Sequence, residues 1–272
     1  ANNEIYWANY SSNEIRVGNL DGTGASTLFT DPGGSAPSGV AIDPTAGKIY
    51  WTNQFSDQVR VGNLNGSGTA STLFGRDATV PTVERNPIGV AINPAAGKIY
   101  WTDLGSGQVR VGNLDGTGAS TLFGDESSPG GLAIDPGANE IYWGNFDAGL
   151  IRTGNLDGTG TASTLFSGEF NSLFPALLRK PLSSEAPTIS GGAKVGRELT
   201  CSQGSWAPDL LGGFLFRAPA SFAYQWVKDG SNIATGATFT PTEVGDYTCT
   251  VTAKNLAGEA SRTSAVKKVK VK

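Results

Sequence analysis

Between Ile5 and Asn145 the chain returns four times to one pattern: Ile-Tyr-Trp, a small residue, then Asn or Asp. The tryptophans, Trp7, Trp51, Trp101 and Trp143, recur at a spacing of about 40 to 50 residues. A unit of that period, rich in strand formers and turn glycines, reads as a propeller blade. One full copy shows how. Gly89–Pro94 is a short apolar run stopped by proline, as a strand buried on both faces would be. Ala95-Ala96-Gly97 turns the chain into a second strand, Lys98 to Thr102, and a polar loop from Asp103 to Gly107 leads to a third, Gln108 to Leu114. Asp115-Gly116-Thr117-Gly118 is a hairpin signal, because Asp-Gly accepts positive φ, and Ala119 to Phe123 supplies a fourth strand.

The 272 residues leave room for this large unit and a smaller one, each with its own core. Thirty-eight glycines against 16% charged residues suit short strands and tight turns rather than long helices. A net charge of −4 and a pI near 5.0 argue against nucleic acid or an anionic membrane surface as partner. No apolar run approaches the roughly 18 residues of a membrane span. The chain lacks methionine, and Ala1 reads as a processed or trimmed start. Both cysteines, Cys201 and Cys249, fall in the last quarter, which suggests one disulfide and an oxidising compartment.

The residue types that carry most acid–base chemistry are missing. Without histidine, a Ser-His-Asp triad and His-ligated metal sites are ruled out, so neither an enzyme nor a cofactor or metal site is expected. Asp21, Asp115 and Asp157 share their slot with Asn65 at hairpin turns, which turn conformation explains better than catalysis. The repeated tryptophans are expected to pack between blades rather than stack a sugar. Arg16, Arg60, Arg110 and Arg152 are expected to line a solvated face of each third strand.

The Tyr-Trp-Thr-Asp strand, the Gly-x-Ala-Ile-Asp-Pro strand before it and the Asn-Leu-Asp-Gly hairpin after it resemble the YWTD propellers of the low-density lipoprotein receptor family. The resemblance covers residues 1–181 and implies an all-β propeller of about four blades, against six in that family's usual ring. It also implies that the motif's acid, kept here only at Asp103, braces neighbouring blades; Asn9, Asn53 and Asn145 replace it. The first repeat starts at its second strand. Ala176–Pro181 aligns with Gly131–Pro136, so a C-terminal strand is expected to complete the first blade beside Asn2–Ala8. An incomplete ring, or rings completed between chains, are the alternatives.

Residues 182–272 change character after a linker at Ser183–Pro187. Cys201, Trp226 and Cys249, with Tyr247 two residues before the second cysteine, resemble an immunoglobulin-like β-sandwich of secreted bacterial surface proteins. The resemblance implies a Cys201–Cys249 disulfide with Trp226 against it. A long insertion between Cys201 and Trp226 carries Leu210, Leu211, Phe214, Leu215 and Phe216, an apolar group expected to contact the propeller or an adjacent subunit, with extra core inside its own sandwich as the alternative.

The loops joining fourth to first strands and second to third strands emerge on one face. They vary in length and residues, while the opposite face repeats almost unchanged. Tyr10, Phe55, Arg76, Glu84, Arg85, Leu104 and Phe146 are therefore the candidate binding residues, with unselected loop drift as the alternative. The expected function is a secreted or cell-surface binding or adhesion module for protein or glycan. The alternative is a structural subunit, a homo-oligomer tiling a surface layer or fibre.

Overall fold

The fold is described from a computed structural model covering residues 3–75 and 86–271. Among the described residues the architecture is all-β, the helical pieces being two 3₁₀ turns at Pro94–Ala96 and Leu211–Gly213. Two compact units emerge. The first comprises Ala1–Leu177 together with Leu210–Leu215, the second Leu178–Asp209 and Phe216–Lys272.

Four antiparallel blades make up the first unit. Strands β1 (Glu4–Asn9), β2 (Glu14–Asn19) and β3 (Ser26–Thr30) form a three-stranded blade. The second blade has four strands, β4 (Pro37–Asp43), β5 (Lys48–Asn53), β6 (Gln58–Asn63) and β7 (Ser71–Phe74). The third repeats this with β8 (Pro87–Asn93), β9 (Lys98–Asp103), β10 (Gln108–Asn113) and β11 (Ser120–Phe123), and the fourth with β12 (Pro129–Asp135), β13 (Glu140–Asn145), β14 (Leu150–Asn155) and β15 (Ser163–Ser167). Burial follows the sequence pattern: β8 and β12 are buried along their whole length, as continuous apolar runs should be.

Adjacent blades are joined by one repeated contact. Phe29 stacks on Trp51, Phe74 on Trp101 and Phe123 on Trp143, with ring centroids 5.3, 4.8 and 5.2 Å apart. Each phenylalanine also faces a glycine of the next blade. A Cβ at Gly62, Gly112 or Gly154 would lie 2.4–2.5 Å from the ring, so no larger residue fits there. The tryptophans thus pack between blades. The threonine of the repeated strand makes the second brace. Thr52 Oγ1 accepts from the Gly39 N–H at 2.9 Å and donates to the Ile88 carbonyl of the next blade at 2.7 Å. Thr102 does the same between Gly89 and Gly130. Asp103 pairs with Arg110 of its own blade at 3.7 Å.

The expected completion of the first blade does not occur. The short strand β16 (Leu177–Leu178) pairs not with β1 but with Leu215–Phe216, and the Leu177 N–H donates to the Phe214 carbonyl at 2.8 Å. The register was also misplaced. Leu173 and Phe174 stand against Gly131 as Gly130 and Gly131 stand against Gly89, so Phe174, two residues before Ala176, occupies the equivalent position. Apolar composition alone favoured the later alignment; the close approach at Gly131 fixes the earlier one.

Leu210–Leu215 folds into the first unit where the innermost strands converge. A Cβ at Gly212 would lie 2.4 Å from Ile92 and 2.9 Å from the Ile42 carbonyl, and one at Gly213 2.7 Å from Ile134. Glycine is therefore required for this turn to approach so closely. Leu210 and Phe214 pack against the apolar cluster of the third and fourth blades, Leu215 is buried, and Leu211 and Phe216 are exposed.

In the second unit β17 (Ser183–Glu185) pairs β20 (Ser205–Trp206), and β18 (Ile189–Gly191), β19 (Leu199–Cys201) and β24 (Thr238–Phe239) form one sheet. A second sheet contains β22 (Ser221–Lys228), β23 (Ser231–Thr235), β25 (Gly245–Asn255), β26 (Gly258–Thr263) and β27 (Lys267–Val269), with β21 (Leu215–Phe216) in the pair already described. The Cys201–Cys249 disulfide ties β19 to β25, one from each sheet. Trp226 is fully buried in the same cluster, and the Tyr247 hydroxyl donates to the Glu243 carbonyl at 2.9 Å.

Candidate binding face

The loops after β1 and β5 bring two of the sequence-chosen aromatics together. Tyr10 and Phe55 meet edge to face with ring centroids 5.8 Å apart, and they are 47% and 60% exposed. An edge-to-face pair fixes both rings without removing them from water. The backbone beneath is held too. The N–H groups of Gln54 and Phe55 donate to the carbonyls of Ala36 and Ser35 at 3.0 and 3.2 Å. Leu104 and Phe146 occupy the equivalent loops of the third and fourth blades; their N–H groups donate to Asn86 and Ser128, and both side chains are half-buried. Among the described residues the exposed aromatics of these loops thus lie on the first two blades. Arg76, Glu84 and Arg85 lie outside the described residues.

Sequence reasoning missed what lies under this face. Asp31 follows β3 and Glu126 follows β11, both in the variable loops, and both are buried. The Trp51 indole N–H donates to Asp31 at 2.6 Å and Arg60 pairs with the same carboxylate at 3.2 Å. Trp143 donates to Glu126 at 3.0 Å, as do Asn145 at 2.7 Å and Arg152 at 3.1 Å. The arginines are not on a solvated face: Arg60, Arg110 and Arg152 are largely buried. Arg60 and Arg110 lie over their blade's tryptophan at 5.8 and 5.5 Å. Each acid anchors an indole and a guanidinium, so these carboxylates hold the scaffold rather than face a ligand.

On the opposite face, grooves run between neighbouring blades. One of about 660 Å³ between the first two is lined by Glu4, Tyr6, Leu28, Asn63 and Leu64. The Tyr6 hydroxyl donates to Glu4 at 3.0 Å, and burial, then that hydrogen bond, push its pKa up to about 12. Tyr100 lines the groove between the third and fourth blades and is pushed to about 12 by burial and the charge of Asp157. Tyrosines raised this far keep their hydroxyl proton in any ordinary medium. The hairpin acids do turn work. Thr117 donates its N–H and hydroxyl to Asp115 at 2.9 and 2.6 Å, and Asp21 and Asp157 repeat this. Among the described residues no cluster of His, Cys, Asp or Glu could hold a metal ion, and no helix is long and apolar enough to cross a membrane.

No family model matches the chain, and no curated protein does. Solved structures do. A chain of a nidogen/laminin complex superposes with a TM-score of 0.56 at 22% identity, over 74% of this chain and 68% of that one. A streptogramin B lyase gives 0.51 at 11% identity, over 95% and 78%. A periplasmic gluconolactonase of Pseudomonas aeruginosa gives 0.49 at 14%, over 64% and 53%. At these identities the likeness establishes a β-propeller and no more. It nevertheless corrects the expectation that the chain is not an enzyme. The lyase shows that enzymes use this architecture, and the missing histidines remove histidine chemistry alone.

Proposed function

We propose that the chain is a binding module of the extracellular space or cell surface, contacting a protein or glycan through the loop face that carries Tyr10 and Phe55. The Tyr10–Phe55 pair carries this reading: two rings open to water on loops whose backbone is tied down. Rigid exposed aromatics bind at little entropic cost, to protein hot spots and to sugar faces alike. The neighbour from a nidogen/laminin complex makes protein the first ligand class to test. Kinship with the YWTD propellers and an immunoglobulin-like second unit, drawn at 1–181 and 182–272, complete the reading. The Cys201–Cys249 bridge, buried Trp226 and the Tyr247–Glu243 bond support the second assignment. The disulfide also supports secretion.

The test is binding of the full chain to immobilised laminin-type matrix proteins and to a panel of cell-wall glycans. Tyr10→Ser with Phe55→Ser should weaken any hit by about tenfold or more. Hits that the double variant leaves untouched, or no hit at all, overturn the reading. A structural subunit of a surface layer or fibre is a second reading, favoured by the uncovered blade faces at the two ends of the blade series.

A further inference from the structure

We infer that the exposed face of the fourth blade docks onto the exposed face of the first blade of a second copy, head to tail, by repeating the contact that joins blades within one chain. The inference rests on the structural-subunit reading and names its contact.

Each internal junction has two sides. The leading side offers a Phe, a Leu one residue before it and a following acid, as in Leu28-Phe29 with Asp31 and Leu122-Phe123 with Glu126. The receiving side offers the Trp, the glycine under the ring, and a hairpin glycine that takes the Leu. A Cβ at Gly66, Gly116 or Gly158 would lie about 3 Å from Leu28, Leu73 or Leu122. The fourth blade ends in a complete leading side that nothing covers. Leu165 and Phe166 are 47% and 56% exposed, where Phe29 and Phe123 are buried. Glu169 follows Phe166 at the same distance as Glu126 follows Phe123. Its N–H donates to Gly149 at 2.9 Å as that of Glu126 donates to Gly107 at 3.0 Å.

The first blade offers the matching receiving side. Trp7 has Arg16 over it at 5.8 Å, as Trp51 has Arg60, but among the described residues no phenylalanine stacks on it. The position under the missing ring is Gly18, where the nearest atoms to a Cβ would be those of Ala25 and its own Trp7 at 3.4 Å, and the hairpin glycine, Gly22, has nothing within 4 Å among the described residues. Ile5 is 49% exposed, whereas Ile49, Ile99 and Ile141 are fully buried. The segment at Leu173 and Phe174 stands where the inner strand of a following blade would begin. Three internal copies of the contact specify its geometry, and the second copy of this chain is the partner that carries both halves.

A head-to-tail contact between unlike surfaces propagates, because every added copy leaves one face of each kind open. Sedimentation velocity of the 272-residue chain should show species growing with concentration. Leu165→Glu with Phe166→Glu blocks the leading side; Ile5→Glu with Leu20→Glu blocks the receiving side, Leu20 being the exposed counterpart of Leu64, which packs against the cluster of the first junction. All four side chains are exposed, so both variants keep the fold, which an unchanged thermal transition verifies. Each variant alone should stay monomeric, and an equimolar mixture should give a dimer and nothing larger, since one intact face of each kind remains. A wild-type chain monomeric at all concentrations overturns the inference, as does a mixture that fails to dimerise or variants that still grow. Variants that still grow overturn this contact and leave the structural-subunit reading standing, whereas a wild-type chain monomeric at all concentrations ends both, so the two failures are separable.

Discussion

Trp143 and Trp226 are both fully buried indoles, but they are covered in different ways. Trp143 lies on Phe123 of the neighbouring blade and donates to the carboxylate of Glu126. Trp226 sits opposite Cys249 in its own sheet and donates to the neutral carbonyl of Gly236 at 2.9 Å. In the first unit a tryptophan's burial is conferred by the preceding repeat, so it is gained or lost one junction at a time. In the second unit a covalent tie and a closed pair of sheets confer it at once. Trp7 shows the cost of depending on a neighbour, for it has the residues of its siblings without their cover.

Trp143→Ala should break the comparison most severely, destabilising the first unit by about 3–5 kcal/mol through the cavity it leaves. Trp7→Ala should cost much less, because its face is already part-exposed. Chemical denaturation followed by tryptophan fluorescence in both variants measures the gap, and equal losses would mean that the junctions do not bury these rings as described. Next in size is the disulfide. Cys201→Ser with Cys249→Ser should lower the stability of the second unit by about 2–4 kcal/mol. The transition of the first unit should stay in place in calorimetry, since both cysteines belong to the second.

The smallest effect sharpens the view of the repeats. The hydroxyl of Thr117, then its N–H, hold the Asp115 carboxyl below the usual carboxylate range, as happens at Asp21 and Asp157. A lowered folded value contributes stability above the unfolded value of about 3.9, lost as pH falls through the folded value. Thr117→Val should return Asp115 toward the ordinary value in an NMR titration while Asp21 and Asp157 keep theirs. No change at Asp115 would mean that the threonine hydroxyl does not hold the carboxylate.

Much of this architecture was legible because the repeats calibrate one another. The expected strand Lys98–Thr102 emerges as Lys98–Asp103, and Gln108–Leu114 as Gln108–Asn113. Asp31 and Glu126 were not legible. One stands two residues after its phenylalanine and the other three, so no fixed spacing marks them, and a longer side chain offsets the extra residue. The arginines were misread for the same reason, their partners being invisible. The wet third-strand face exists as a pattern, but at Arg60 and Arg152 a buried acid from the variable loop covers it. On the binding face Tyr10 and Phe55 were chosen one by one; that they touch depends on the angle between blades, which no local pattern encodes.

The placement of Leu210–Leu215 has a consequence for anyone who would divide this protein. Ending a shorter version at Leu177 removes the turn that covers Ile42, Ile92 and Ile134, although that boundary lies where the second unit begins. On the ribosome, too, the inner strands wait for a piece made only after residues 178–209 have emerged. The first unit in sequence is thus among the last to be finished, and its completion is tied to synthesis well into its neighbour.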